Sequence, residues 1–309
     1  MLHIRNALTG SELLTLTTKE LEGLEDVSAL KELLRSRHGF PVCFQQLKHE
    51  GNALDNDTRL KAPTELELLM VPASPVDAAQ ELASYAAAEG DVKVAGRLLE
   101  TGVLAEDVLD ALEEAARLGH VEFARFLAKA AVFRDPPQYI VDGALSNACR
   151  EGQIDMVRFL LEFAGDENGP RDSGLYLEHI WGGLNAACGH GHFDIVRLLL
   201  ERKDAETPSW ATESWAAVGA LEGACAGGHI DVVRLMLQAG ACVSRQAWAA
   251  AMGSGDPELT SMVNQRFADP QNTKGLLSLA ARRFSGRGWD VQLAPAAAAE
   301  VVLQKAGLK

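Results

Sequence analysis

The chain has 309 residues, 47% of them hydrophobic and 23% charged, which is long enough for more than one buried core and too apolar for a disordered chain. The net charge of −14 is unevenly spread: residues 1–71 hold 8 basic and 11 acidic side chains, 72–263 hold 14 and 29, and 264–309 hold 7 and 3. The acidic middle repels phosphates, which argues against nucleic acid as a partner, and no apolar run reaches the ~18 residues of a membrane-crossing helix, which argues against membrane insertion.

In chain order, "MLHIRNA", the turn "LTG" and "SELLTL" read as two strands of a hairpin. A helix follows from Val27 to about His38: Asp26 is placed to cap it, Val27, Leu30 and Leu34 form one apolar stripe, and Gly39 ends it ahead of Pro41. Short apolar stretches near Leu47 and from Leu66 to Val71 complete a region that switches from strand period to helix period and back.

Residues 1–71 resemble a ubiquitin-like β-grasp domain. "ALTG" matches its first hairpin, "GFPVCFQQL" its helix exit with a Gln before a buried Leu, and "EGNAL" its tight turn, with an apparent insertion at Lys19 to Gly23 and a shortening at Lys61 to Thr64. The resemblance implies an α+β fold and a protein-binding face that maps to Leu8, Lys48 and Leu69. An ammonium at the centre of that face raises the desolvation cost of docking on an apolar receptor. Conjugation in that family needs a free diglycine tail, whereas this domain runs through "LLMVPASPVD" into the rest of the chain, so the resemblance implies a non-conjugatable domain. A strand that begins at Met1 leaves no room for a presequence, and a cytoplasmic or nuclear location is the expectation.

After a short Pro-containing linker placed at 72–76, the chain repeats itself. "ACREGQIDMVRFLL" from Ala148, "ACGHGHFDIVRLLL" from Ala187 and "ACAGGHIDVVRLML" from Ala224 share one pattern, and the same frame fits more weakly around Gly90, Gly119 and Gly255. The marker glycines lie 29, 33, 39, 37 and 27 residues apart, which brackets the ~33-residue period of a helix-turn-helix repeat. Each unit reads as an inner helix carrying Leu145, Leu184 or Leu221 and an Ala-Cys pair, a left-handed glycine, and an outer helix. The outer stripes are expected to be Ile154, Val157, Leu160 and Leu161, then Phe193, Val196, Leu199 and Leu200, then Ile230, Val233, Met236 and Leu237. No unit buries such a stripe alone; side-by-side stacking does.

These residues resemble ankyrin repeats over roughly 77–268, about six units of which three are strong, although Gly-Ala-Leu-Ser, Gly-Gly-Leu-Asn and Gly-Ala-Leu-Glu replace the usual Thr-Pro-Leu-His opening. The fold class expected is therefore multidomain: an N-terminal α+β ubiquitin-like β-grasp domain plus an all-α ankyrin-repeat solenoid. Residues 269–309 read as a degenerate repeat or capping helices, with Pro295 suited to the first turn of an Ala-rich helix.

Candidate chemistry is thin. Cys43, Cys149, Cys188, Cys225 and Cys242 contain no CxxC pair, and cysteines on stacked helices ~8–10 Å apart exceed the ~7 Å Cα limit for a disulfide, so free buried thiols are expected. His190 and His192 form an H-x-H pair in which one member is the repeat's own Gly-His position. "HEGNA" at His49 lacks the second zincin histidine, "GSG" at Gly253 lacks a nucleophile-elbow frame, and no Walker loop occurs. No catalytic residue, cofactor or metal site is expected. Glu122/Arg125, Asp155/Arg158, Asp194/Arg197 and Asp231/Arg234 recur at one repeat position and read as solvent-facing helix support.

Tyr139, Tyr176, Trp181, Trp210 and Trp215 fall in or near the long connections between units, where they serve either partner binding or anchoring of the connection. The function expected is a non-enzymatic protein–protein interaction adaptor or scaffold. Its repeat groove and loops hold one protein and its ubiquitin-like domain another, with a link to the ubiquitin–proteasome system as the specific form the resemblance implies. A constitutive structural subunit of a large protein assembly is the alternative. The partners are proteins, which the sequence does not name.

Overall fold

The computed structural model describes residues 1–61, 64–129, 138–164, 175–201 and 215–276. The chain divides into two compact units, Met1–Ala115 with Glu122–Arg134, and Ala116–Val121 with Asp135–Lys309.

The first unit opens with strands β1 (Leu2–Asn6) and β2 (Glu12–Leu16), short helix α1 (Thr18–Leu21) and helix α2 (Val27–His38). A 3₁₀ turn (Val42–Phe44) leads to β3 (Gln45–His49), β4 (Asn52–Ala53) and β5 (Thr64–Met70). The sheet order is β2-β1-β5-β3-β4, with β1 and β5 parallel at the centre and the other pairs antiparallel. Alternation decides which face is buried: Leu2, Ile4, Leu14, Leu16, Leu47, Leu66 and Leu68 point inward onto Val27, Leu30 and Leu34 of α2. The Asp26 carboxylate accepts the Ala29 N–H at 2.9 Å, and Gly39 at φ +65 ends the helix. Buried Gln45 donates through Nε2 to the carbonyls of Lys31 and Phe40, which ties the helix exit to β3. Helix α1 is capped by Thr17, whose side chain forms a capping box with Glu20.

Pro75 and Val76, placed by the sequence reading in a linker, instead form the first turn of helix α3 (Pro75–Glu81). Ser74 caps that helix by accepting the Asp77 N–H, and the fixed φ of proline suits the first helical position. A π-helical stretch (Leu82–Ala86) and α4 (Ala87–Glu89) continue it, and α5 (Val92–Leu99), α6 (Ala105–Leu118) and α7 (Val121–Lys129) follow.

The second unit is built from helix pairs: α8 (Gln138–Arg150) with α9 (Ile154–Ala164), α10 (Leu175–Gly189) with α11 (Phe193–Glu201), α12 (Trp215–Ala226) with α13 (Ile230–Gln238), and α14 (Arg245–Gly253) with α15 (Pro257–Phe267). Inner helices α8, α10, α12 and α14 pack in that order, as do outer helices α9, α11, α13 and α15. Small residues set the spacing: a Cβ on Gly183 would sit 3.0 Å from Cys149 Sγ, and one on Gly223 would sit 3.4 Å from Gly189 Cα. The Ala-Cys pairs and Leu145, Leu184 and Leu221 are buried throughout.

Each inner helix ends in the same way. Gly152, Gly191 and Gly228 take φ of +76, +77 and +70, and the following N–H reaches five residues back, as from His192 to the Ala187 carbonyl at 2.9 Å. The next side chain then lies across the preceding unit. His229 Nε2 approaches the Gly189 carbonyl at 3.1 Å, His192 Nε2 the Arg150 carbonyl at 2.7 Å, and Gln153 Nε2 donates to the Arg117 carbonyl at 3.3 Å.

The expected outer stripes are out of phase at their first residue. Ile154 and Ile230 are only half-buried and Phe193 is exposed, while Met156, Ile195 and Val232 join Val157, Leu160, Val196, Leu199, Val233 and Met236 inside. The cause is geometric: the stripe's first residue directly follows the glycine turn, opens the outer helix, and lies over the turn rather than over the inner helix. Residues 270–276 are helical, and Asn272 there exchanges two hydrogen bonds with the Val243 peptide, 2.7 Å from its N–H and 3.0 Å to its carbonyl. Pro295 lies outside the described residues. No described helix is long and apolar enough to cross a membrane.

Candidate protein-interaction surfaces

The sheet of the first unit turns one face to solvent. Lys48 and Leu69 both lie on it: β3 and β5 pair Gln46 with Leu69 and Lys48 with Glu67, while β1 pairs Arg5 with the same Glu67. The Ala7 N–H donates to the Leu68 carbonyl at 2.9 Å, which brings the hairpin turn beside Leu69, and Leu8 in that turn is 81% exposed. Leu8 and Leu69 therefore lie near one end of the sheet, with Lys48 on the same face. Their surroundings are charged, with Arg5 3.8 Å from Glu65 and His3 Nδ1 3.0 Å from Glu12. The outer face is polar and partly charged, with two leucines at one end.

In the second unit the inner helices leave a regular row exposed or half-buried. One residue after the buried Leu145, Leu184 and Leu221 stand Ser146, Asn185 and Glu222, and three residues before each of these three stand Gly143, Gly182 and Gly219. A helix places i and i+3 on one side, so each inner helix presents a glycine beside a polar group whose identity changes from unit to unit. Ser146, Asn185 and Glu222 close the Gly-Ala-Leu-Ser, Gly-Gly-Leu-Asn and Gly-Ala-Leu-Glu stretches that stand in place of a repeat opening turn, and they lie inside the inner helices, not in loops.

The described aromatic candidates lie in the first turns of inner helices, with Trp181 further along its helix. Tyr139 is in α8, Tyr176 and Trp181 are in α10, and Trp215 opens α12, because these inner helices begin well before their Gly-x-Leu-x signatures. Trp210 lies outside the described residues. Trp181 is half-buried, and its indole N–H has no acceptor among the described residues.

The outer helices carry the expected acid–base pairs: Arg197 donates to Asp194 at 2.8 Å, Arg234 to Asp231 at 2.7 Å and also to Glu258, and Arg125 lies 3.8 Å from Glu122. Asp155 and Arg158 are exposed at the matching positions. Such exposed pairs contribute about 0–1 kcal/mol each. Between α11 and α13 the exposed Phe193 borders an open cleft of about 300 Å³ with Asp231, Arg234, Leu235 and Gln238.

All five cysteines are free. Burial pushes the thiols of Cys149, Cys188 and Cys225 up to about 12, with smaller upward contributions from Cys188 on Cys149 and from Glu222 on Cys225. Burial likewise pushes Cys43 up to about 12, helped by its hydrogen bond to Glu81. These are packing groups, protonated at neutral pH. The rings of His190 and His192 stack with centroids 6.4 Å apart, and each approaches a backbone carbonyl, Ala186 and Arg150 respectively.

The ankyrin-repeat family model matches residues 145–247 in three copies. Among solved structures, the ankyrin repeat domain of human ASB11 is similar at 23% identity and a TM-score of 0.41, over 64% of this chain and 96% of that one. No curated protein matches the chain. The units around Gly152, Gly191 and Gly228 are thus ankyrin repeats, and ankyrin repeats, whose stacking builds an extended binding surface, indicate a protein–protein interaction role.

Proposed function

We propose that this chain is a non-enzymatic adaptor whose ankyrin repeats hold one protein partner while its α+β domain engages a second. The observation that carries the reading is the row Ser146, Asn185 and Glu222: the stacking residues beside it recur from unit to unit, whereas the row itself differs. Ser146 and Asn185 also border Gly182 and Gly219 of the following inner helix, and the changing polar groups along the row support a recognition role beside that contact. Half-buried Trp181 stands four residues before Asn185, one helical turn away, and supplies an aromatic anchor of the kind enriched at binding hot spots.

The α+β domain is proposed to be ubiquitin-like. The parallel β1–β5 pair at the centre of a five-stranded mixed sheet, with α2 across the inner face, supports that reading. Its second partner belongs, on this reading, to the ubiquitin–proteasome system and contacts Leu8, Lys48 and Leu69. The charged groups around them favour a receptor bearing complementary charge over a purely apolar groove.

Affinity capture with the full chain tests both halves. Asn185→Arg with Glu222→Arg is expected to abolish one set of captured proteins and leave the other. Leu8→Ala with Leu69→Ala is expected to do the reverse, with proteasomal ubiquitin receptors among the proteins lost. Capture unaffected by either pair of substitutions refutes the proposal.

A further inference from the structure

The first helix pair of the chain has no repeat before it, yet it carries the residues with which later units grip their predecessor. Nine residues before the marker glycine stand Gly182 and Gly219; a Cβ on the first would lie 2.9 Å from Ser146 Oγ and on the second 3.6 Å from Asn185 Oδ1, both on the preceding inner helix. Seven residues after the marker glycine stands Phe126, whose Cζ lies 3.7 Å from where a Cβ on Gly96 of α5 would be. These two positions face backwards along the array. By the same count from Gly90 the first pair has Glu81, on the far side of the π-helical stretch, and Arg97.

Both find partners in the α+β domain. The Glu81 carboxylate, 8% exposed, accepts the Val42 N–H at 2.7 Å, the Cys43 N–H at 2.8 Å and Arg35 Nη1 at 3.3 Å. The Arg35 guanidinium lies 3.2 Å from the centroid of the Tyr85 ring, one turn along from Glu81. Arg97 Nη1 donates to the Gly39 carbonyl at 2.8 Å, at the end of α2, and its guanidinium lies 5.0 Å from the Phe40 ring. Lys93 Cβ lies 3.6 Å from where a Cβ on Gly39 would be.

A buried carboxylate with three donors persists only if those donors stay in place, because separating them strands a charge away from water. We infer that the α+β domain occupies the place of a preceding repeat and caps the array through Glu81 and Arg97, so that domain and first repeat form one rigid body instead of two tethered modules. The segment from Arg35 to Phe44 is then committed to this contact, and the outer sheet face of Lys48 and Leu69 is the part of the domain left for a partner. The inference stands whether or not the adaptor reading does.

The full chain tests it in two ways. Cβ atoms 3.6 Å apart lie within the disulfide range of about 3.5–4.5 Å, so Gly39→Cys with Lys93→Cys is expected to form an intramolecular disulfide under mild oxidation, seen as the loss of two hydrogens by mass. A folded double variant that stays reduced overturns the inference. Independently, Glu81→Ala is expected to speed amide exchange on the order of a hundredfold both in α2 and in α3 to α5, with Glu81→Gln intermediate. Faster exchange confined to α3 to α5, with α2 as protected as before, also overturns it, and this second measurement holds even where the double variant does not fold.

Discussion

Replacing Gly191 and Gly228 by alanine, one at a time, separates two reasons for a glycine at the same repeat position. Both sit at positive φ, +77 and +70, and an L-residue there costs about 1–2 kcal/mol in each case. Around Gly228 nothing lies within 4 Å of the new Cβ, because the next unit has Asp256, engaged in capping α15, where His229 would be. Around Gly191 the new methyl would lie 2.5 Å from His229 Nδ1 and 2.8 Å from its Cγ, so the whole imidazole must leave. Its contact with the Gly189 carbonyl goes with it, at about 0.5–1.5 kcal/mol, together with the packing of the ring, of order 1 kcal/mol. Urea unfolding followed by circular dichroism should therefore show Gly228→Ala losing about 1–2 kcal/mol and Gly191→Ala about 2.5–4.5 kcal/mol. In a His229→Ala background the two should converge. Equal losses in the natural background, or no convergence in the second, would refute the interlock.

Three further outcomes follow from other parts of the molecule. Asp26→Ala removes the acceptor of the Ala29 N–H and should cost about 1 kcal/mol, read as faster amide exchange in α2, with Asp26→Asn nearly neutral. Asn185→Arg should change stability by less than about 0.5 kcal/mol, whereas Leu184→Ala one residue earlier should cost about 2–5 kcal/mol; similar thermal shifts for the two would contradict the assignment of surface and core. The thiols of Cys149 and Cys188 are held at about 12 in the folded chain against about 9 otherwise, so above pH 9 the unfolded chain gives up protons that the folded chain keeps. Stability present below pH 9 is lost as pH rises towards 12, by about 1.4 kcal/mol per pH unit for each thiol. A Cys149→Ala, Cys188→Ala variant should show a shallower decline over that window in urea titrations.

Much of the fold is legible because its determinants are local. Asp26, the stripe Val27, Leu30 and Leu34, and Gly39 each act within one helix, and each does in the structure what its place in the sequence implies. The three fourteen-residue relatives likewise contain their own turn, glycine and buried Ala-Cys pair. The phase error at Ile154, Phe193 and Ile230 has a different origin. Periodicity fixes the spacing of a stripe but not which residue begins it, and the glycine turn rotates the first one off the interface. The placing of Trp181 within a helix has a related reason: α10 begins at Leu175, seven residues ahead of Gly182, a start that the repeat signature alone does not mark.

Glu81 and Arg97 illustrate what periodic reading leaves hidden. Taken alone, a glutamate and an arginine on amphipathic helices read as solvated side chains, and most are. Placed in register with the other units, the same two fall where Gly182, Gly219 and Phe126 face the previous unit. A charge at a stacking position has to be matched by polar groups from whatever is stacked there, and the N–H groups of Val42 and Cys43 and the Gly39 carbonyl just past α2 are such groups. Repeat proteins therefore carry within one chain the comparison that identifies their exceptions. Where a unit departs from its siblings at a surface position, as Ser146, Asn185 and Glu222 do, the departure is what the proposed binding role rests on. A departure at a stacking position marks a neighbour that is not a repeat.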